Sequence, residues 1–120
     1  MAFMPAVTAL RPNTVFTPDQ WTMLTRISRW RGLWLIAHAW GSVALIVGVT
    51  LWIGHWLAWI PALFLLGGRQ LGLAILMHDA AHGCTSPNRR INNFAGEWLS
   101  GAAVGSDLQS YRAYHLTHHK

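Results

Sequence analysis

Charge is scarce in this chain. Asp and Glu together occur four times in 120 residues, as Asp19, Asp79, Glu97 and Asp107. A mechanism built on clustered carboxylates has little to draw on. Charged residues make up 11% of the chain, against about 25% in an average soluble domain. A soluble surface is hard to build from so few, and 52% hydrophobic content excludes a disordered tail. Cysteine occurs once, as Cys84, which excludes an internal disulfide and a thiolate metal site. The length suffices for one small domain. Its net charge of +5 comes from eight arginines and one lysine, and no nucleic-acid partner is expected.

The missing charges are concentrated. Over 32–68 there is no Asp, Glu, Lys or Arg, a run of 37 residues. One membrane span needs about 20 apolar residues, so the run is close to two spans joined by a tight turn. A first span over 33–53 is about 31 Å of helix. Gly54 and His55 form the break, and a second span covers 56–77. The alternative, a buried helical hairpin of a soluble protein, lacks the polar sequence needed to cover it. Trp30 and Trp34 mark one end of the first span, and Trp52, Trp56 and Trp59 its far end, as expected at membrane interfaces. Trp40 lies mid-span and reads as a packing residue.

Arginine placement orients the hairpin. Arg26, Arg29 and Arg31 precede it, the turn at His55 carries no fixed charge, and Arg69, Arg89, Arg90, Arg112 and Lys120 follow. Positive residues stay cytoplasmic, which places both chain ends in the cytoplasm. The apolar stretch is too long for a cleaved signal peptide. Arg69 is costly at mid-bilayer. It belongs near the cytoplasmic interface or, second best, in a protein-lined cavity. His78, nine residues on, is about 13 Å further along the helix, so the second helix is expected to protrude into the cytoplasm.

Residues 1–16 read as a flexible N-terminus. Thr17-Pro18-Asp19-Gln20 has the pattern of a capped helix start. With Trp21, Leu24 and Ile27 at helical spacing, 17–31 is expected to be an interfacial helix.

Histidine is abundant. Five of seven fall into His78-Asp79-Ala80-Ala81-His82 and His115-Leu116-Thr117-His118-His119. At this histidine frequency H-x-x-x-H arises by chance about 0.4 times and H-x-x-H-H about 0.02 times, so the second group is the stronger signal. On a helix, residues three and four apart share a face. His78 and His82 can therefore grip one metal from one side, and His115 pairs in the same way with His118 and His119. Neutral imidazole suits iron, zinc or copper. Gly83 and Pro87 are expected to end the first helix just past the box. His38 reads as bonded to a neighbouring helix, and His55 as a turn residue away from the boxes. Five imidazoles exceed the three of a catalytic zinc, yet cannot fill two shells of about five or six ligands. A two-metal site with further ligands elsewhere fits the count. Between the groups, the apolar patch over 94–106, interrupted by Glu97, is too short to span and reads as a helix along or dipping into the interface. Asn88, Asn92 and Asn93 supply turn and capping chemistry.

The hairpin, H-D-x-x-H-G, and Tyr111-Arg112-x-Tyr114-His115-x-x-His118-His119 together resemble the membrane fatty acid desaturase family, from Leu33 to Lys120. The resemblance implies an all-α integral membrane protein: a helical hairpin with cytoplasmic helix extensions and interfacial helices. Residues 32–120 would form the N-terminal part of a desaturase domain, inactive alone because a second hairpin and a third histidine box are missing. It implies two iron ions, with O2 as co-substrate, held by His78, His82, His115, His118 and His119. Asp79 would orient a histidine from behind. A fatty acyl substrate would enter from the lipid bilayer, and electrons would come from an external ferredoxin- or cytochrome-type donor. Trp98, Tyr111 and Tyr114 line the site or, more simply, pack. Related membrane hydroxylases and ketolases use similar boxes. An intramembrane zinc protease is a rival, since H-D-A-A-H differs from H-E-x-x-H by one carboxylate; so is a non-catalytic metal-binding membrane protein.

Overall fold

The computed structural model describes residues 11–118, and every regular element among them is helical. Residues 1–10 of the expected flexible N-terminus lie outside the described residues. After a single turn, α1 (Pro12–Val15), α2 covers Pro18–Leu24. Its start is the expected capping box: the Thr17 hydroxyl accepts from the Gln20 N–H, and the Gln20 side chain accepts from the Thr17 N–H. The helix expected over 17–31 stops early, however. Thr25 folds its N–H and hydroxyl back onto the Trp21 carbonyl, and Ser28 accepts from the backbone N–H groups of Trp30 and Arg31. Local side-chain bonds of this kind compete with a continuous helix. The Thr25 bonds close the last turn of α2, and the Ser28 bonds start the next helix.

Two long helices follow, α3 (Arg31–Ile53) and α4 (Trp59–Ala81), joined through Gly54 and a 3-10 turn over Trp56–Ala58. Gly54 takes a left-handed φ of 65°, which glycine adopts without a Cβ penalty. His55 caps the turn by accepting from the Leu57 N–H at 3.2 Å. Both helices are long and apolar enough to cross a membrane, and only 17% and 22% of their apolar windows are buried. A core helix of a soluble protein would be mostly buried. Here Leu45, Leu51, Trp52, Leu63 and Phe64 stand exposed. An apolar surface of this extent fits lipid as its solvent.

Near the turn only Thr50 and Ala62 are buried among the described residues, and most of the packing lies at the other end of the hairpin. There α5 (Arg89–Gly96), a π turn (Glu97–Gly101), a 3-10 turn (Ala102–Val104) and α6 (Leu108–Thr117) fold against α3 and α4. Ile36, Ala39, Leu73, Leu76 and Ala95 form one core cluster, and Met77, Ala80, Ala81 and Leu108 a second. Small residues let the backbones approach. A Cβ on Gly96 would collide with the Ala80 methyl and the Leu108 side chain.

The patch over 94–106 is therefore not one regular helix. It continues α5 through the π and 3-10 turns and ends at Gly105. Trp40 meets it: its indole N–H donates to the Leu99 carbonyl at 2.8 Å. The mid-span tryptophan, expected to pack, instead stands exposed and makes a specific polar bond. His38 finds its partner on its own helix, stacked on Trp34 at 5.3 Å. Arg69, half-buried, lines a 280 Å³ groove between α3 and α4 with His38, Gly72 and Asp79.

Candidate metal centre

The first histidine pair sits on the last turn of α4 and its cap. Helical geometry runs through Ala81, His82 is the C-cap, and Gly83 takes φ 77°. The Gly83 N–H bonds the Ala80 carbonyl at 3.0 Å, and the Cys84 N–H bonds the Asp79 carbonyl at 2.8 Å. This crossed pair of bonds, with glycine at the left-handed position, is a Schellman ending. It stops the helix just past His82, and the two rings share one face with centroids 4.8 Å apart.

The second group sits on α6. The Asp107 carboxylate accepts from the Ser110 N–H at 2.6 Å, and Glu97 accepts from the Leu108 N–H at 2.9 Å. Two of the chain's four acids are thus spent on one helix N-terminus, where the dipole favours negative charge. The Ser110 backbone bond, then the Ser110 side chain, hold the Asp107 carboxyl below its ordinary value. Glu97, an interruption in the apolar patch, acts here as a cap. Near the far end of α6, Tyr111 stacks on His115, 5.2 Å between centroids and 10° from parallel.

The two groups meet. His82 Nε2 and His115 Nε2 are 3.0 Å apart, and the His78 and His115 rings are 4.6 Å apart between centroids. One ligand nitrogen from each of His78, His82 and His115 lies within a 4.8 Å envelope. With metal–imidazole bonds of about 2.1 Å, a 3.0 Å pair subtends about 90° at an ion, the angle between adjacent ligands of an octahedron. One ion separates its ligand atoms by at most about 4.2 Å. The envelope therefore suits three imidazoles closing on one ion after small ring rotations, or shared between two ions. The donor set, all nitrogen and without thiolate, suits iron, zinc or copper.

The other residues singled out by sequence are placed as follows. Asp79 Oδ1 stands 3.4 Å from His78 Nδ1, a long contact. His118 is the exposed C-cap of α6, its ring 6.0 Å from Tyr114 and outside the three-histidine group. His119 lies outside the described residues. Tyr111 packs against the Met77–Leu108 cluster, whereas Trp98 and Tyr114 are exposed.

Sequence reading missed the polar knot beneath the histidines. Arg112 donates through Nε to the Ala81 carbonyl at 3.0 Å, and through Nη2 to the Ala80 carbonyl at 2.9 Å and Asn93 Oδ1 at 2.8 Å. Asn92, 2% exposed, donates to the Ala80 carbonyl at 2.8 Å and accepts from the Thr85 N–H at 3.1 Å. Of the three asparagines only Asn88 is a local cap, accepting from the Arg90 and Ile91 N–H groups. Asn92 shapes the 82–88 turn from the neighbouring helix. Arg112 lies three residues before His115, on the same helix face, and that spacing is the available signal.

A fatty acid desaturase family model matches residues 54–120. The temperature-sensitive sn-2 acyl-lipid omega-3 desaturase (ferredoxin), chloroplastic, of Arabidopsis thaliana is 32% identical over 82 residues, covering 66% of this chain and 19% of that protein. The chloroplastic omega-3 fatty acid desaturase of Ricinus communis is 28% identical over 91 residues, 76% of this chain and 20% of that protein. The chloroplastic sn-2 acyl-lipid omega-3 desaturase (ferredoxin) of Helianthus annuus is 25% identical over 118 residues, 95% of this chain and 24% of that protein. The chain thus spans about a fifth to a quarter of the length of these relatives. No solved structure matches it. With more than half the chain inside the family match, and with both histidine groups in the matched part, this all-helical chain belongs to the fatty acid desaturase family.

Proposed function

We propose that these residues form a ligand-bearing N-terminal portion of a membrane di-iron desaturase that introduces a double bond into a fatty acyl chain with O2. The observation that supports this reading is the meeting of His78, His82 and His115, from segments 33 positions apart, at one end of an apolar hairpin. Family membership implies iron, and the all-imidazole donor set fits it. Iron, when bound, supplies the redox chemistry with O2 that removal of hydrogen from an unactivated methylene requires.

The chain's own residues do the rest. His78, His82 and His115 present neutral imidazole nitrogens to the metal. His118 and His119 complete the second group, His118 through rotation of the last turn of α6. Asp79 orients His78 through Nδ1 and keeps the other ring nitrogen free to ligate. The hairpin anchors the site at a membrane face, so the acyl chain reaches it from lipid without crossing water. From Trp56 to Ala81 there are 26 residues. At about 1.5 Å each they exceed a 30 Å hydrocarbon core by two turns. His78 and His82 then stand outside the core, on the side of the arginine-rich segments, which is cytoplasmic. Electrons arrive there from a separate donor of ferredoxin or cytochrome type.

Expression of the full-length protein in a host lacking the activity, followed by mass spectrometry of its acyl chains, tests the reading. The expected product carries one new double bond and is absent with His115→Ala. A hydroxylated product would place the protein with the related hydroxylases, and an unchanged product from His115→Ala would sink the ligand assignment. Residues 1–120 expressed alone hold too few histidines for two iron shells and are expected to make no product.

A further inference from the structure

The distance between the two histidine groups is set by few contacts. Tyr111 and Leu108 pack α6 against the end of α4, but apolar contacts of this kind tolerate sliding and rotation. Direction comes from Arg112. Its guanidinium occupies the angle between α4, α5 and α6, and bonds the carbonyls of Ala80 and Ala81 together with Asn93 Oδ1. Those two carbonyls belong to the residues between His78 and His82. The Ala80 carbonyl accepts from Arg112, Asn92 and the Gly83 N–H, at 2.9, 2.8 and 3.0 Å. It lies at a residue with no exposed surface. One planar fork therefore reads the orientation of the first histidine turn and carries it to α6, one turn before His115.

We infer that Arg112 is a positioning residue that holds His115 in register with His78 and His82, and so sets metal affinity without ligating metal. The inference rests on the reading of the three histidines as a metal site. The charge of Arg112 suits this role, because a cation at the last carbonyls of α4 offsets the negative end of that helix. Gln109 Oε1 accepts from Nη1 at 3.3 Å. No carboxylate bonds the guanidinium among the described residues, so its direction is set by carbonyl and amide acceptors. A lysine cannot reproduce this, because one ammonium cannot span three acceptors along two edges.

Co2+ is the probe, bound to the purified full-length protein in detergent, with visible ligand-field absorption reporting coordination and circular dichroism reporting helix content. Arg112→Ala is expected to weaken Co2+ binding at least tenfold, the range seen when outer-shell partners are removed, and to change the absorption band, with helix content unchanged. Millimolar guanidinium should restore both, because Arg112 lines an open groove of about 440 Å³ that also touches His82 and Asn93. Arg112→Lys should behave as Arg112→Ala does, without rescue. Wild-type affinity and spectrum in Arg112→Lys would overturn the inference, even if Arg112→Ala fails to fold. His115→Ala runs alongside: if it binds Co2+ as tightly as wild type, the metal site itself is wrong. A loss in His115→Ala with none in either Arg112 variant condemns the positioning role alone.

Discussion

His82 and His115, separated by 33 positions in the chain, face each other with their Nε2 atoms 3.0 Å apart. Two imidazoles at that distance share one proton or one metal ion. With His78 in the same envelope, metal is the reading that uses all three rings. The Met77–Leu108 cluster and the Arg112 bonds surround the meeting, and each can be tested.

Removing a ligand should act on metal before it acts on fold. His82→Ala and His115→Ala are each expected to reduce iron in the purified full-length protein to below about one tenth of the wild-type level, with helix content retained. His118→Ala is expected to abolish product formation and iron retention as well. Elemental analysis and acyl-chain profiling check this, and normal product from His118→Ala would remove that residue from the ligand set.

Gly96 marks the closest approach of α5 to the other two site helices. Alanine there would press its methyl against Ala80 and Leu108, both fully buried. Overpacking of this kind costs about 1–3 kcal/mol. A lowered thermal midpoint for Gly96→Ala, together with weaker metal retention, is the expected pair of results.

Trp40 tethers the π turn to the membrane hairpin through one indole N–H. Trp40→Phe keeps an aromatic ring and deletes only the donor. A loss of about 1 kcal/mol is expected, the net worth of an ordinary hydrogen bond. It should be accompanied by faster amide exchange over 97–104, and unchanged exchange there would show that the bond holds nothing in place.

Asp107 gives the cap of α6 a pH dependence. Its carboxyl is held below the ordinary value by the Ser110 bonds. The unfolded chain therefore takes up the proton first as pH falls. The cap's contribution is fully present above the unfolded carboxylate value, about 3.9, and is lost as pH drops through the lower folded one. Asp107→Asn keeps a capping oxygen without the charge. The difference in Ser110 amide protection between the two proteins should be largest near neutral pH and vanish in acid.

The legible parts of this protein are those encoded in a continuous stretch of chain. The two spans follow from composition kept over 37 consecutive residues, and Gly54 and Gly83 as breaks and Thr17 with Gln20 as a cap depend on residues at most four apart. His78 and His82 are recognisable as a face for the same reason. The length of α2 is not legible in this way, because apolar spacing continues through Ile27 while the Ser28 hydroxyl already accepts from the Trp30 and Arg31 N–H groups of the next helix start.

What the sequence determined alone is the apolar hairpin, the shared face of His78 and His82, and the family the chain resembles. Tertiary structure decided which histidines meet, that Asn92 is buried, and that Trp40, Glu97 and Arg112 find partners 59, 11 and 31 positions away. The physical reason lies in the acceptors and donors concerned. Trp40 and Arg112 bond main-chain carbonyls, which every residue offers, and Glu97 a main-chain N–H, which every residue but proline offers. No residue type announces them, and only the packed chain shows which ones are in reach.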